Sequence, residues 1–174
     1  MLRRFAFAII AFSGILLWPQ TRHRDPLNNL EIDQLRETAQ EPEQRLKLLV
    51  QFTRARLEEM QKAHTDPKAE ADRPQQVHDR LEDFATLYDE LDDNISMYAD
   101  RRADIRKPLK AVIEADGEFK ARLEAFKESA TPAEMQQCEF LLTNALEAVT
   151  SGLEDHQKLL AEQEEAAKKK KNKK

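Results

Sequence analysis

A chain of 174 residues with 35% charged side chains, 40% hydrophobic ones and only three Gly has the profile of long helices around a thin core; with 6% aromatics, a thick globular core is excluded. The net charge of −5 hides a polarity: residues 26–167 hold 32 Asp and Glu against 18 Lys and Arg, a balance of −14, while the last seven residues hold six Lys. Phosphate backbones repel so acidic a body, which excludes specific nucleic-acid recognition by it, and the single cysteine, Cys138, excludes an intramolecular disulfide.

The chain opens with Arg3 and Arg4, followed by an uncharged, mostly apolar run over residues 5–18 that ends before Pro19. A basic start before an apolar run of this size is the order of a secretory signal, and the run is short for a full membrane span. Pro19, Gln20, Thr21 and Arg22 offer no pair of small residues for cleavage, so residues 1–24 read as a signal peptide or as an uncleaved signal anchor. The expected address is export: periplasmic or secreted, or tethered to the membrane by residues 5–18.

Helix starts follow in chain order. Asn28 has Glu31 three residues later, Asp72 has Gln75, and Thr131 has Pro132 and then Glu134; each pair can exchange hydrogen bonds with the free amides of a first turn. Pro42 opens another segment. These signals predict helices over about residues 28–40, 42–64, 72–106, 108–129 and 132–167. Pro108 lacks an amide proton and crowds the carbonyl four residues back, so the chain kinks or restarts there.

Within the central stretch, Val77, Leu81, Phe84, Tyr88, Leu91, Ile95 and Tyr98 recur at alternating spacings of four and three. The rhythm continues through Arg102, Ile105, Leu109, Val112, Asp116, Phe119, Leu123 and Phe126, a heptad seam that puts one side of the helix against partners. Leu46, Leu49, Val50, Leu57 and Met60 form a second stripe; Cys138, Leu142, Ala145, Leu146, Val149, Leu153 and Leu160 form a third. The acidic residues between seam positions, among them Asp83 and Asp92, are expected toward solvent or the flanks. Arg102 and Asp116 fall on the seam and flank Pro108, so the packing is expected to loosen there. The fold expected is all-α: an elongated antiparallel bundle of three to four long helices with coiled-coil-like packing over residues 25–160. Past about residue 154 the last helix turns polar on all sides, which predicts fraying and a charged, disordered, Lys-rich tail over residues 161–174.

Chemistry-bearing patterns are sparse. No Glu-x-x-His pair suits a di-metal bundle, and His78 with Glu82 supplies too few ligands for zinc. Asp89 to Asn94 lacks the glycine and the alternation of a calcium loop, and no nucleophile motif or Gly-rich phosphate loop is present. No metal, no cofactor and no catalytic residue are therefore expected. His156, on the apolar stripe of the last helix, is the one candidate for holding a ligand or a cofactor, opposite a Met such as Met60 or Met97. Lys168, Lys169, Lys170, Lys171, Lys173 and Lys174 form a candidate polyanion-binding tail for an anionic membrane surface, worth about 1 kcal/mol per lysine. The plain alternative is a solubilising end that complements the helix dipole.

Together these features predict a non-catalytic bundle of the cell envelope with a structural or protein-interaction role. Its partner would be another protein or a second copy of itself. A ligand- or cofactor-carrying bundle and a periplasmic holdase-type chaperone are the alternatives.

Overall fold

The computed structural model describes residues 25–68 and 71–172. The apolar run at residues 5–18, Lys173 and Lys174 lie outside them. The described residues form five helices and no strand: α1 (Asn29–Glu37), α2 (Pro42–Thr65), α3 (Arg73–Asp100), α4 (Arg106–Ser129) and α5 (Pro132–Lys171). None of these helices is long and apolar enough to cross a membrane.

Two of the three expected capping boxes form. Asn28 accepts from the Glu31 amide at 3.0 Å while Glu31 accepts from the Asn28 amide at 2.9 Å, and Thr131 and Glu134 do the same at the start of α5. Asp72 does not cap α3. Its own backbone is already helical, and the Gln75 side chain, through Nε2, donates forward to Asp79 Oδ1 at 2.6 Å instead of reaching back.

At Pro108 the chain restarts rather than kinks, and the break comes before the proline. α3 ends at Asp100, Arg102 adopts φ 56, and the amides of Arg102 and Ala103 return to the carbonyls of Ala99 (2.8 Å) and Tyr98 (3.0 Å). This is a Schellman closure with Arg102 where glycine is usual. α4 begins at Arg106, which puts Pro108 in a first turn, where a missing amide proton costs nothing. Arg102 therefore leaves the seam and is exposed, while Ile105 stays fully buried.

Cross-helix bonds fix the directions. α2 and α3 run antiparallel, with Arg45 donating to Asn94 (2.6 Å) near one end and Arg80 paired with Glu59 (3.2 Å) near the other. α2 and α4 run parallel, joined by Arg54 with Glu118 and by Arg122 with Gln61. α4 and α5 run antiparallel, with Lys110 paired to Glu164. Although consecutive, α3 and α4 stand diagonally opposite: each packs on α2 and α5, and the two meet only through side chains in the middle, where Phe84 and Phe119 sit edge to face at 5.5 Å. α1 is a strap along α2. Arg45 Nη1 donates to the Leu35 carbonyl (2.8 Å), and the buried Arg56 donates to the Pro26 carbonyl (2.8 Å) and pairs with Glu31.

All seven residues of the seam from Val77 to Tyr98 are buried, as are Leu46, Leu49, Val50, Leu57 and Met60 on α2 and Cys138, Leu142, Ala145 and Val149 on α5. Burying each such Leu or Phe removes its apolar surface from water, worth about 1.5–3 kcal/mol. Three expectations need correcting. Asp83 is buried beside Arg80 rather than turned outward, because the core here spans more than one stripe of α3: Phe84 and Leu87 flank it on the inside. α5 also does not turn wet at residue 154. His156 is buried, and Gln163 accepts from the Ile105 amide and donates to the Ala103 carbonyl, both at 3.1 Å, so a polar side chain closes the α3–α4 turn. The segment expected to be disordered from residue 161 is helical to Lys171.

Candidate functional site: a buried histidine between two carboxylates

Three helices converge on His156. Its Nδ1 lies 2.8 Å from Oδ2 of Asp116 on α4, and its Nε2 lies 3.1 Å from Oδ1 of Asp92 on α3. The other oxygen of Asp116, Oδ1, accepts from the Tyr88 hydroxyl at 3.0 Å. Asp116 is fully enclosed, His156 is 2% exposed, and the Asp92 side chain keeps 46% of its surface in water. Carboxylate oxygens only accept, so with one facing each ring nitrogen the imidazole carries both protons and is a cation.

The electrostatics agree with that assignment. Burial by itself disfavours the imidazolium, but the hydrogen bonds to Asp116 and Asp92, and then their charges, outweigh it and raise the His156 pKa to about 9. Burial, followed by the Asp116 charge, pushes the Tyr88 hydroxyl well above the usual phenol range, so it remains a donor. Room for that donor comes from Gly152, one turn before His156 on the same face of α5: a Cβ there would lie 2.3 Å from Tyr88 Oη.

Such a cluster has limited chemistry. A general base or a metal ligand needs a bare ring nitrogen, and a haem-type ligand would have to displace one of the carboxylates. The two carboxylates sit on opposite nitrogens of the ring and do not converge on a shared point. Among the described residues no group of three or more His, Cys, Asp or Glu is arranged to hold a metal ion. The seam does not loosen at Asp116, as the sequence led us to expect; its charge is compensated by His156 and Tyr88.

A second cluster closes the end of the bundle away from the α3–α4 turn. His64 at the end of α2 places Nδ1 2.9 Å from Glu134 Oε1 and Nε2 3.2 Å from Ser129 Oγ, with its ring edge to face on Phe126. The order Ser, His, Glu is that of a hydrolytic triad, but the bonding is that of a knot. The Ser129 hydroxyl lies 2.9 Å from the Ala125 carbonyl of its own helix, and the second oxygen of Glu134 caps α5 through the Thr131 amide at 2.7 Å. Burial disfavours the charged Glu134, but the bonds from His64 and Thr131 prevail and hold its pKa below the ordinary carboxylate value. The sequence identified Glu134 as a cap and left His64 unassigned, since 70 residues separate the partners.

Cys138 is fully buried on α5, and burial together with the Glu134 charge pushes its thiol up to about 11. Lys168, Lys169, Lys170 and Lys171 form the exposed last turn of α5. Comparison with protein-family models, with curated proteins and with solved structures found no match.

Proposed function

We propose that this chain is an exported, non-catalytic helical bundle of the cell envelope that acts as a structural or protein-interaction module, with another protein or a second copy of itself as partner. The observation that supports the non-catalytic part is the closure of the central cluster: each nitrogen of the His156 ring is engaged by a carboxylate, which leaves that ring neither a bare base nor an open ligand position. Export is supported by the order of Arg3, Arg4 and the apolar run at residues 5–18. Among the described residues, Phe140, 80% exposed on α5, and Leu30, 68% exposed on α1, are the large apolar side chains left in water, and they are where a protein contact would be sought first.

Cell fractionation of the full chain, beside a version lacking residues 1–24, tests the address: the full chain belongs in the envelope fraction and the shortened one in the cytosol. Crosslinking in the native envelope tests the role. A discrete partner or a homodimer whose yield falls with Phe140→Ser supports it. Suppression of aggregation of an unrelated unfolded protein points instead to a holdase, and a stoichiometric chromophore or metal in the purified chain points to the cofactor-carrying alternative.

A further inference from the structure

At the end of the bundle where α3 stops and α4 begins, the α3–α4 turn and the outer part of α5 enclose an open groove of about 590 Å³. Its floor is apolar and made of small side chains, with Ala103, Ala166 and Ala167 around Leu159, while Arg102 and Lys170 flank it. Asp104 and Glu162 also line it, but the Asp104 carboxylate is taken up by a fork of two bonds from Arg106, at 2.6 and 2.8 Å. Arg102 holds its left-handed backbone at a position where glycine would be free of strain, yet its guanidinium makes no hydrogen bond or ion pair among the described residues. The backbone thus sustains an unfavourable conformation that presents a cation to solvent beside an apolar floor.

The surroundings select the occupant. Gln163 is level with the α3–α4 turn, so the helical rise carries Lys168–Lys171 roughly 8–12 Å beyond it. Residues 26–167 carry −14 in all, so most of the body is repelled by an anionic surface, while this end, where Arg101 and Arg102 stand beside the four lysines and outnumber the groove's Asp104 and Glu162, is drawn to it. We propose that the groove is a binding site for the headgroup and upper acyl chain of an anionic phospholipid in a bilayer, with Arg102 and Lys170 on the phosphate, the Ala and Leu159 floor on the chain, and the bundle standing end-on.

The test uses the full chain with vesicles of phosphatidylcholine containing one quarter phosphatidylglycerol, a trace of which bears a photoreactive group in its acyl chain. Adducts mapped by mass spectrometry belong on the α5 peptide holding Leu159, Ala166 and Ala167. Arg102→Gly, which the left-handed backbone accommodates without misfolding, lowers their yield at least fivefold, and Lys170→Gln lowers it comparably. Photoreactive phosphatidylcholine gives no more than a fifth of the wild-type signal. Three results would each overturn the proposal: adducts confined to residues 1–24, a yield unchanged by Arg102→Gly, or complete suppression by inorganic phosphate at matched ionic strength, which would assign the cationic arms to a free anion.

Discussion

Gly152 and Tyr88 share one space: a methyl group on Gly152 would lie 2.3 Å from the phenolic oxygen that donates to Asp116. In an exposed helix, Gly→Ala would gain about 1 kcal/mol of helix propensity. Here Gly152→Ala must push the hydroxyl off its acceptor and is expected to destabilise the protein by about 1–3 kcal/mol. In a Tyr88→Phe background the obstruction is gone, and the same substitution becomes neutral or stabilising. Denaturant unfolding of the four proteins of this cycle checks the change of sign; additive effects would contradict it.

The two buried tyrosines of α3 behave oppositely. Tyr88→Phe leaves the enclosed Asp116 short of a donor and costs about 1–3 kcal/mol. The Tyr98 hydroxyl is buried without a hydrogen-bond partner among the described residues, so Tyr98→Phe removes a desolvated group and leaves stability unchanged or higher. Thermal melts of the two variants give the comparison.

Stability should fall on the alkaline side. His156 has a folded pKa of about 9, above the 6.5 of a free histidine, so its contribution is fully present below 6.5 and lost as pH rises through 9. The full effect is on the order of 3 kcal/mol. Unfolding free energies at pH 6, 7.5 and 9.5 should decline in that order, and His156→Gln should flatten that decline, lowering stability most at pH 6, where two carboxylates lose their cation, and least at pH 9.5, where the wild-type ring is already mostly neutral.

Cys138 should be silent in the native protein. A fully buried thiol with a pKa of about 11 is neither accessible nor ionised at neutral pH, so alkylation should proceed only through opening of the bundle. Its rate should rise with denaturant along with the unfolded fraction, and the native chain should form no disulfide-linked dimer. Rapid labelling in buffer would contradict the burial of Cys138.

Arg102→Gly should stabilise the protein by about 1 kcal/mol, since glycine adopts the left-handed conformation without the Cβ clash that arginine bears. A melting temperature no higher than wild type would mean that the arginine side chain compensates its own backbone.

The parts of this structure set by short-range chemistry were readable in the sequence. The Asn28–Glu31 and Thr131–Glu134 boxes depend on residues three apart, the start at Pro42 on the proline alone, and the seam from Val77 to Tyr98 on helical periodicity. The Asp72–Gln75 box had the same spelling and did not form, because Asp72 itself entered the helical region. The break at residues 101–105 was masked because the four-and-three spacing runs through it by coincidence. Pro108 marked the break only to within a turn, since a proline is tolerated at several positions of a first turn. The central cluster was half visible. An aspartate on the seam called for a partner, and His156 lay on the apolar face of α5, but what joins them is the pairing of α4 with α5, 40 residues apart, which no local pattern encodes.

A pH titration of the His156 ring nitrogens by nitrogen-15 NMR, assigned against His156→Gln, tests most directly whether the middle of the bundle is a closed charge cluster. The structure predicts a ring protonated at both nitrogens through neutral pH that gives up a proton only near pH 9. A ring already neutral at pH 7, with one bare nitrogen, would contradict it and would reopen His156 as a base or a ligand.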